Sequence, residues 1–362
     1  MKEYKLTISI LASNRKDTLP KTLESIKPIL DNVSSELIVT DTGCDEELLS
    51  HIRKYTQNII KFTWCDDFSK ARNVGLKEAK GEWFLFLDDD EWFEDVHEII
   101  DFFNSGDCDN YDKIEYLQRN YHTMEGVSWT DNPVDRGARI TEGIQFVDAI
   151  HEHLNIAGGR IKRFSSYVHH YGYVFKNEEE KKRHIERNLT LLKKQAEDRP
   201  RDCRTYAHII QEYIGMDDYE AILKWSDRAL DNADYFNMNN YRYIGAFYCT
   251  NVYAKIKLGQ DKCALITAEN VLELEYTSGL SRAMMYYLIC TMQGSRGIEG
   301  HICTDRKLVS YVNGYLSLRK YYMEDPQKMY DESTIYIKHA FDDDKVGDML
   351  RVGRLLTQKY AG

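Results

Sequence analysis

The sequence predicts an α/β domain with a mostly parallel sheet, followed by an all-α region built from helical hairpins. Apolar or β-branched segments alternate with helical patterns over the first hundred residues, and the run from Trp83 to Leu87 is apolar throughout. Such alternation is typical of parallel sheets covered on both faces. From Glu178 onward the pattern is helical, and the turns at Gly215 and Gly259 suggest a repeat of roughly 44 residues. We therefore predict two domains, residues 1–177 and 178–362.

The individual elements follow from local periodicity and from Gly and Pro positions. Period-2 or continuous apolar runs predict strands at 6–11, 36–40, 59–64 and 83–87. Helical spacing predicts helices at 17–30, 46–55 and 69–79. Shorter extended segments at 114–117, 126–129 and 160–169 predict a mixed, antiparallel extension of the same sheet. The helical region is predicted to form TPR-like pairs, namely 203–214 with 218–231, 241–257 with 261–275, and 281–293 with 305–320.

Composition excludes several classes of protein. The 362 residues carry 48 basic and 59 acidic side chains, a net charge of −11, which argues against non-specific nucleic-acid binding. A spanning helix needs about 20 apolar residues, and no run approaches that length, so we expect no transmembrane segment and a cytoplasmic protein. The eight cysteines form no CxxC pair, which favours reduced thiols over a zinc ribbon.

Four consecutive carboxylates follow the apolar strand. Asp88, Asp89, Asp90 and Glu91 stand where open α/β sheets bind ligands, at the carboxyl end of a strand. Like charges at this spacing repel one another unless a cation joins them, and carboxylate oxygens suit Mg²⁺ or Mn²⁺. The cluster therefore predicts a divalent cation held against a diphosphate. The alternative is a solvated loop whose aspartates cap a helix over 92–103.

Four segments together resemble family 2 glycosyltransferases of the GT-A fold. They are Ile10-Leu-Ala-Ser-Asn-Arg15, Val39-Thr-Asp-Thr-Gly-Cys44, Asp67-Phe-Ser-Lys-Ala-Arg-Asn-Val-Gly75 and Leu87-Asp-Asp-Asp-Glu91. The third carries the family's ARNxG pattern and the last stands in place of its DxD motif. With its helical C-terminal region, the chain is similar to bacterial peptide or protein glycosyltransferases. The resemblance implies transfer of a sugar from a nucleotide-diphosphate donor, a UDP-sugar, with inversion and with Mn²⁺ or Mg²⁺.

The resemblance also implies roles for individual residues. Nucleotide-sugar binding is implied for residues of all four segments: Ala12, Ser13 and Asn14 on the first; Asp41 on the second; Asp67, Arg72 and Asn73 on the third; and Asp88 and Asp89 in the acidic cluster. Asp41 would accept a hydrogen bond from the base. Asp90 would ligate the metal and serve catalysis, and Asp88 would reach the ribose or the metal. A serine is frequent at the position of Cys44, which puts a polar contact from that side chain in doubt.

Two further segments supply the remaining candidates. Inverting transfer needs a general base, and Glu152 in Ile150-His-Glu-His-Leu154 is our candidate for the base or for an acceptor-site carboxylate. The alternative is that His151 or His153 caps a helix or pairs with an acid. In Val168-His-His-Tyr-Gly-Tyr173, the resemblance implies a histidine as third metal ligand. We choose His170, with His169 as the second choice.

The acceptor is left open by the sequence. A peptide or protein bound by the helical region is one prediction, and homo-oligomerisation through that region is another. A first alternative is an enzyme for cell-wall or capsule oligosaccharide intermediates. A second is a non-catalytic helical-repeat scaffold with a degenerate nucleotide-binding domain, against which the intact DxD and ARNxG patterns argue.

Overall fold

The computed structural model describes residues 3–175, 177–235, 237, 240–274, 281–286, 288–289 and 305–324. The chain divides into two compact units, Met1–His184 and Ile185–Gly362. This division lies a few residues beyond the predicted boundary at 177/178 and falls inside a helix, Glu178–Asp198 (α5). The boundary at 178 stays a prediction, and the two units are described separately below.

The first unit is built on one eight-stranded sheet that confirms the predicted α/β class. Its strand order is β3-β2-β1-β4-β7-β6-β10-β5, and a separate two-stranded pair joins β8 to β9. The pairs β1–β2, β1–β4, β2–β3 and β6–β10 are parallel, and the other three are antiparallel. The strands are β1 (Tyr4–Ala12), β2 (Ser35–Asp41), β3 (Ile59–Lys61), β4 (Gly81–Asp88), β5 (Glu91–Phe93), β6 (Lys113–Tyr121), β7 (Trp129–Arg139), β8 (Phe146–Val147), β9 (His153–Leu154) and β10 (Ile161–His170).

Four helices accompany the sheet: α1 (Leu19–Asn32), α2 (Glu46–Ile52), α3 (Phe68–Glu78) and α4 (His97–Asn104). Alternate β1 side chains such as Ile8 pack with apolar residues of α1 and α4 in the main core. The intervening side chains face α3, where Gly75 of the ARNxG pattern lies against β1. A Cβ at Gly75 would lie only 2.7 Å from Ser9 Oγ, so glycine lets this helix approach the sheet closely.

The structure changes the bounds of two segments. The helix over 92–103, which belonged to the alternative interpretation of the acidic cluster, begins only at His97 (α4), because Glu91 to Phe93 form β5 and pair with β10. The segment 126–129, expected to be a short strand or an extended loop, is irregular as far as Ser128, and β7 begins at Trp129. Pro133 and Gly137 are unfavourable in strands, so β7 does not follow from residue propensities. Proline is tolerated at 133 because β4 pairs only with residues 137–139 of β7, which leaves that side of Pro133 without a strand partner.

The second unit is helical and confirms two of the predicted hairpins. After α5 come α6 (Cys203–Ile214) with α7 (Tyr219–Asn232), then α8 (Tyr241–Lys257) with α9 (Asp261–Leu272), and α10 spans Asp305–Glu324. Buried apolar side chains such as Val252 and Leu265 pack between successive helices. The predicted helix at 281–293 lies partly outside the described residues. Within the part of the chain that the structure describes, no helix is long and apolar enough to cross a bilayer.

Candidate active site

The loops after β1 and β4 meet at the carboxyl edge of the sheet. Leu11 of β1 is in register with Asp88 of β4, and Ala12 with Asp41 of β2, so the segments that follow are neighbours. Asp89 holds the two loops together, because its Oδ2 accepts hydrogen bonds from the Ser13 backbone N–H (2.6 Å) and from Ser13 Oγ (2.7 Å). Residues from two predicted segments thus form one site.

Arg15 lies across the acidic cluster. Its Nε is 3.1 Å from Asp89 Oδ1 and its Nη1 is 2.9 Å from Asp90 Oδ2. Both carboxylates are buried, whereas the Arg15 side chain is 52% exposed. Burial raises the pKa of Asp89 to about 6, although Arg15 and the Ser13 hydrogen bonds act in the opposite direction. Arg15 is thus a positive charge that offsets the negative charge of these two buried carboxylates.

Asp88, whose side chain is partly exposed, belongs to a second chain of charges that runs into the interior. Its Oδ1 accepts a hydrogen bond from Arg72 Nη2, and its Oδ2 is 3.0 Å from Arg136 Nη2. Arg136 also donates to Glu91, which is fully buried and accepts a second hydrogen bond from Gln118. Burial would raise the pKa of Asp88, but Arg72 and Arg136 outweigh it and hold the pKa well below its usual range. Burial raises the pKa of Glu91.

Helix α3 holds the loop that carries Glu152. The Asn73 side-chain amide pairs with the backbone of Phe146, donating to its carbonyl (2.9 Å) and accepting from its N–H (2.8 Å). The Phe68 N–H donates to the Ala149 carbonyl at 2.8 Å. Arg72 Nε then donates to Glu152 Oε1, so one buried guanidinium joins Glu152 to Asp88. The ARNxG segment thus positions the predicted base as well as the acidic cluster.

The loop before Glu152 has an unusual backbone. Asp148 and His151 adopt positive φ values of 79° and 53°. Non-glycine residues reach this region only where their surroundings hold them there, and such residues cluster at functional sites. The strand pair β8–β9 closes this loop, with Val147 opposite His153. His153 Nδ1 lies 3.5 Å from Asp148 Oδ2, as the alternative reading of the histidines as partners of acids expected.

The two histidines that end β10 point to opposite faces of the sheet. His170 Nε2 lies 3.9 Å from Asp90 Oδ1, whereas His169 bonds to Tyr121 Oη (2.7 Å) and Glu94 Oε2 (2.8 Å). A Cβ at Gly172 would overlap His170 Nε2, so this glycine leaves the ring its place. Of the two candidates, His170 is the one that the fold brings to the acidic cluster.

The other predicted nucleotide-binding residues lie at the same edge, and several make hydrogen bonds that shape it. Asp41 is buried, and its Oδ1 accepts from the N–H groups of Gly43 (2.9 Å) and Cys44 (2.7 Å). Asn14 Oδ1 accepts from the Asp45 N–H, and the Ala12 carbonyl accepts from Thr42. Asp67 is the N-cap of α3, accepting from the Lys70 N–H. Their contacts with a nucleotide stay predictions.

The residues around Asp90 fit a divalent cation through two protein donors. His170 Nδ1 is 2.6 Å from Asn120 Oδ1, and Asn120 Nδ2 donates to the Gln118 carbonyl, which fixes the orientation of the amide. Nδ1 therefore donates, which leaves Nε2, 3.9 Å from Asp90 Oδ1, as the ring nitrogen that a cation at Asp90 would meet. Among the described residues, no group of three or more His, Cys, Asp and Glu side chains could hold a metal ion. Asp88, which was predicted to reach the ribose or the metal, has both oxygens in ion pairs with arginines.

Sequence reasoning missed two arginines of this site. Arg15 ends the first quoted segment, so its proximity to the cluster had a signal in the motif itself. Arg136 lies on β7, which was not predicted, and is separated from Asp88 by 48 residues. No local pattern identifies such a partner, although four adjacent carboxylates did imply that buried cations must accompany them.

Comparisons with known proteins show which proteins this chain resembles. Residues 7–170 match the family described as Glycosyl transferase family 2. A TPR repeat-containing protein of Synechococcus elongatus is 34% identical over 86 residues, covering 24% of this chain and 20% of that protein. An uncharacterized glycosyltransferase of Haemophilus influenzae is 25% identical over 147 residues, covering 40% of this chain and 49% of the relative.

A third relative has a named reaction. The UDP-Glc:alpha-D-GlcNAc-diphosphoundecaprenol beta-1,3-glucosyltransferase WfaP of Escherichia coli is 34% identical over 92 residues, covering 24% of this chain and 36% of that enzyme. The chain thus spans less than half the length of each of these three relatives. The matched range begins in β1 and ends at His170, and so contains all four motif segments together with Glu152. The match to Glycosyl transferase family 2 thus covers the sheet-containing unit up to the end of β10, which is less than half of the chain.

Proposed function

We propose that this protein is a metal-dependent glycosyltransferase that moves a sugar from a nucleotide-diphosphate donor, a UDP-sugar, to an acceptor with inversion. The observation that carries the proposal is the Arg72 guanidinium, which joins Asp88 of the acidic cluster to Glu152. A donor-side carboxylate and a candidate base are thereby held on one rigid buried group. Such fixed positioning is what a displacement reaction between two bound substrates requires.

Asp90 and His170 are the residues that we expect to hold Mn²⁺ or Mg²⁺, with diphosphate oxygens and water completing the shell. When bound, the cation supplies positive charge to the departing diphosphate. Asn120 orients the His170 ring for this role. Asp88 is retained as a candidate ligand or ribose contact, and it would have to exchange one of its arginine partners to reach the ion.

Glu152 is proposed as the general base. Its carboxylate would accept the proton of the acceptor's nucleophile as that atom attacks the sugar's anomeric carbon, while the diphosphate leaves from the opposite face. Arg72 fixes the orientation of the carboxylate through Oε1. The side chain is largely but not completely buried, so an acceptor can still approach it.

The donor is proposed to bind across the ends of β1, β2 and β4. Ala12, Ser13 and Asn14 would line the nucleotide, Asp41 would face the base, and the α3 residues Asp67, Arg72 and Asn73 would border the pocket. The name of the Escherichia coli relative specifies a UDP-sugar donor, which supports uracil as the base. We expect the choice of sugar to depend on the part of the unit that follows β5.

The acceptor separates two versions of the proposal. A peptide or protein acceptor is favoured by the helical hairpins, since such repeats commonly bind extended chains. An oligosaccharide acceptor is favoured by the same Escherichia coli relative, whose name specifies a diphosphoundecaprenol-linked sugar. A scaffold without catalysis is the third possibility, and it predicts no donor turnover at all.

The proposal is tested first by donor turnover. We expect the protein with Mn²⁺ to release UDP slowly from one of UDP-glucose, UDP-galactose, UDP-GlcNAc or UDP-GalNAc without acceptor. Asp90→Ala should lower that rate by about 10³-fold, because the metal and its charge stabilisation are lost together. Asp95→Ala, in an exposed pair with His97, is the control and should retain the rate. Wild-type turnover that persists in EDTA, or in Asp90→Ala, would remove the metal from the proposal.

The second test concerns Glu152. We expect Glu152→Gln to bind UDP as the wild type does and to lose transfer by about 10²–10⁴-fold, since an amide cannot accept the acceptor's proton. Donor binding is measured by calorimetry with UDP and Mn²⁺, and transfer by mass increase of the acceptor. Near-wild-type transfer by this variant would mean that the base is another group.

A further inference from the structure

We propose that Arg15 is a built-in competitor of the metal ion, seated on the metal-binding carboxylates until a metal and the donor's diphosphate displace it. This inference rests on the proposed function, because it concerns the same acidic cluster. It adds a residue that sequence reasoning did not assign and a reason for metal and donor to bind together.

The contacts of Arg15 are those of a cation bridging two carboxylates. Nε is 3.1 Å from Asp89 Oδ1 and Nη1 is 2.9 Å from Asp90 Oδ2. His170 Nε2 lies 3.9 Å from the other oxygen of Asp90. The guanidinium and an ion held by Asp90 and His170 would therefore draw on the same carboxylate, and each weakens binding of the other.

Arg15 is more exposed than Arg72 and Arg136, so its guanidinium can move away from the carboxylates more easily. Arg72 and Arg136 are buried, and each joins two carboxylates within the protein. The Arg15 side chain is half exposed, so its head can move into solvent at little cost. Its backbone stays in place, because its N–H donates to the Ser13 carbonyl and its carbonyl accepts from the Leu19 N–H. Only the side chain would have to move.

A bound diphosphate would offer the displaced guanidinium a new partner. Planar guanidinium groups bind phosphate oxygens bidentately, so the loss of the two carboxylates is offset once the donor is present. The metal then binds more tightly with the donor than without it, and by linkage the donor binds more tightly with the metal. Part of that coupling comes from Arg15.

The matched variants are Arg15→Gln and Lys16→Gln. Lys16 is the next residue, is 48% exposed, and also bridges two carboxylates, Asp45 (2.6 Å) and Glu47 (2.5 Å). Both changes remove one positive charge from an ion pair, but only the first concerns the proposed site. Mn²⁺ binding to the full chain without nucleotide is measured from the electron paramagnetic resonance signal of free Mn²⁺. We expect the Kd of Arg15→Gln to fall about fivefold, and that of Lys16→Gln to change less than twofold.

A third variant distinguishes direct contact between Arg15 and the two carboxylates from a long-range effect of its positive charge. Arg15→Lys keeps the charge but cannot bridge both carboxylates with a planar fork, so direct seating predicts an intermediate Mn²⁺ affinity. Repeating the titrations with UDP should show a smaller gain in affinity for Arg15→Gln than for the wild type. An unchanged or weaker Mn²⁺ affinity in Arg15→Gln overturns the inference. If the wild type binds Mn²⁺ with UDP in that case, the proposed function stands, whereas no Mn²⁺ binding by any form with UDP overturns both.

Discussion

The interiors of the two units are stabilised by different chemistry. At the sheet edge of the first unit, the partly exposed Asp88 is connected to three largely buried side chains in a chain of charges: Arg72, Glu91 and Arg136. The hydrogen-bonded groups buried in the described part of the helical unit include neutral ones: Gln195 bonds to Thr205, and Asn251 to Ser226. Near Asn251 in α8, Cys249 and Val252 belong to a buried apolar cluster.

This difference suggests different roles: the charged side chains of the first unit serve its chemistry, and the apolar side chains of the helical unit serve stability. Taking charges out of water costs several kcal/mol per ion, and apolar residues of similar volume often stabilise a protein equally well or better. The helical unit packs its hairpins mainly with apolar side chains. The first unit retains its charges at the sheet edge where we propose that the donor binds. The comparison predicts that the two interiors will respond differently to substitution and to pH.

The largest expected loss of stability follows removal of Arg136. We expect Arg136→Met to destabilise the protein by about 3–5 kcal/mol at neutral pH, because Glu91 is left buried and charged. The pKa of Glu91 is already raised by burial. A carboxyl with a raised folded-state pKa costs stability above that pKa and not below it, so the loss should shrink as the pH falls. Urea denaturation of the full chain at pH 5 and pH 8 measures both effects.

A double variant shows whether the unpaired charge is the cause. Arg136→Met combined with Glu91→Gln should recover part of the lost stability, since the amide carries no charge to be paired. Gln118 can still donate to the amide oxygen, whereas the amide NH2 replaces the oxygen that accepts from the Asp88 N–H, so the recovery is expected to be incomplete. If the double variant is no more stable than Arg136→Met, the loss comes from packing and the comparison of the two interiors fails at this residue.

A core leucine of the helical unit provides the contrasting case. Leu265 of α9 is fully buried among apolar side chains. We expect Leu265→Ala to cost about 2–5 kcal/mol through lost burial and the cavity that remains. The loss should be the same at pH 5 and pH 8, because no charge is exposed or left unpaired. Ile266→Ala, at the adjacent exposed position, is the control and should cost less than about 1 kcal/mol. A strongly pH-dependent loss at Leu265 would contradict the proposed difference.

The extent to which sequence predicted the fold depended on whether an element's pattern was local. Strand β4 was predicted because a short, continuous apolar run is typical of a strand that is covered on both faces of a parallel sheet. Strand β7 was not, because Pro133 and Gly137 contradict strand propensity and its pairing with β6 depends on tertiary contacts. The helical pairs around Gly215 and Gly259 were predicted because each glycine marks a turn between two segments with helical spacing, and the two turns fit one repeat length.

The candidate site shows the same limit at the level of side chains. Motif order placed Ser13, Asp89 and Asp90 at one sheet edge, and the structure joins the first two by hydrogen bonds. The resemblance implied a histidine near the cluster, and alternation along β10 explains why it is His170 and not His169. Sequence could not reveal that Asn73 would bind the backbone of Phe146, 73 residues away, because that contact depends on how two loops meet.

The smallest expected effect concerns Glu212, an acidic side chain of α6 that is partly buried in the helical unit. Its Oε1 accepts a hydrogen bond from Asn188 Nδ2 at 2.7 Å, and burial raises its pKa. Because the folded-state pKa is raised, the ionised carboxylate costs stability above that pKa, and the cost disappears as the carboxyl becomes protonated. Glutamine keeps an oxygen that accepts from Asn188 but carries no charge. We therefore expect Glu212→Gln to raise the thermal midpoint slightly at pH 8, by less than about 1 kcal/mol in stability, and to match the wild type at pH 4. A lower midpoint at pH 8 would mean that the carboxylate's charge stabilises this unit, which would bring its interior closer in kind to the charged edge of the sheet.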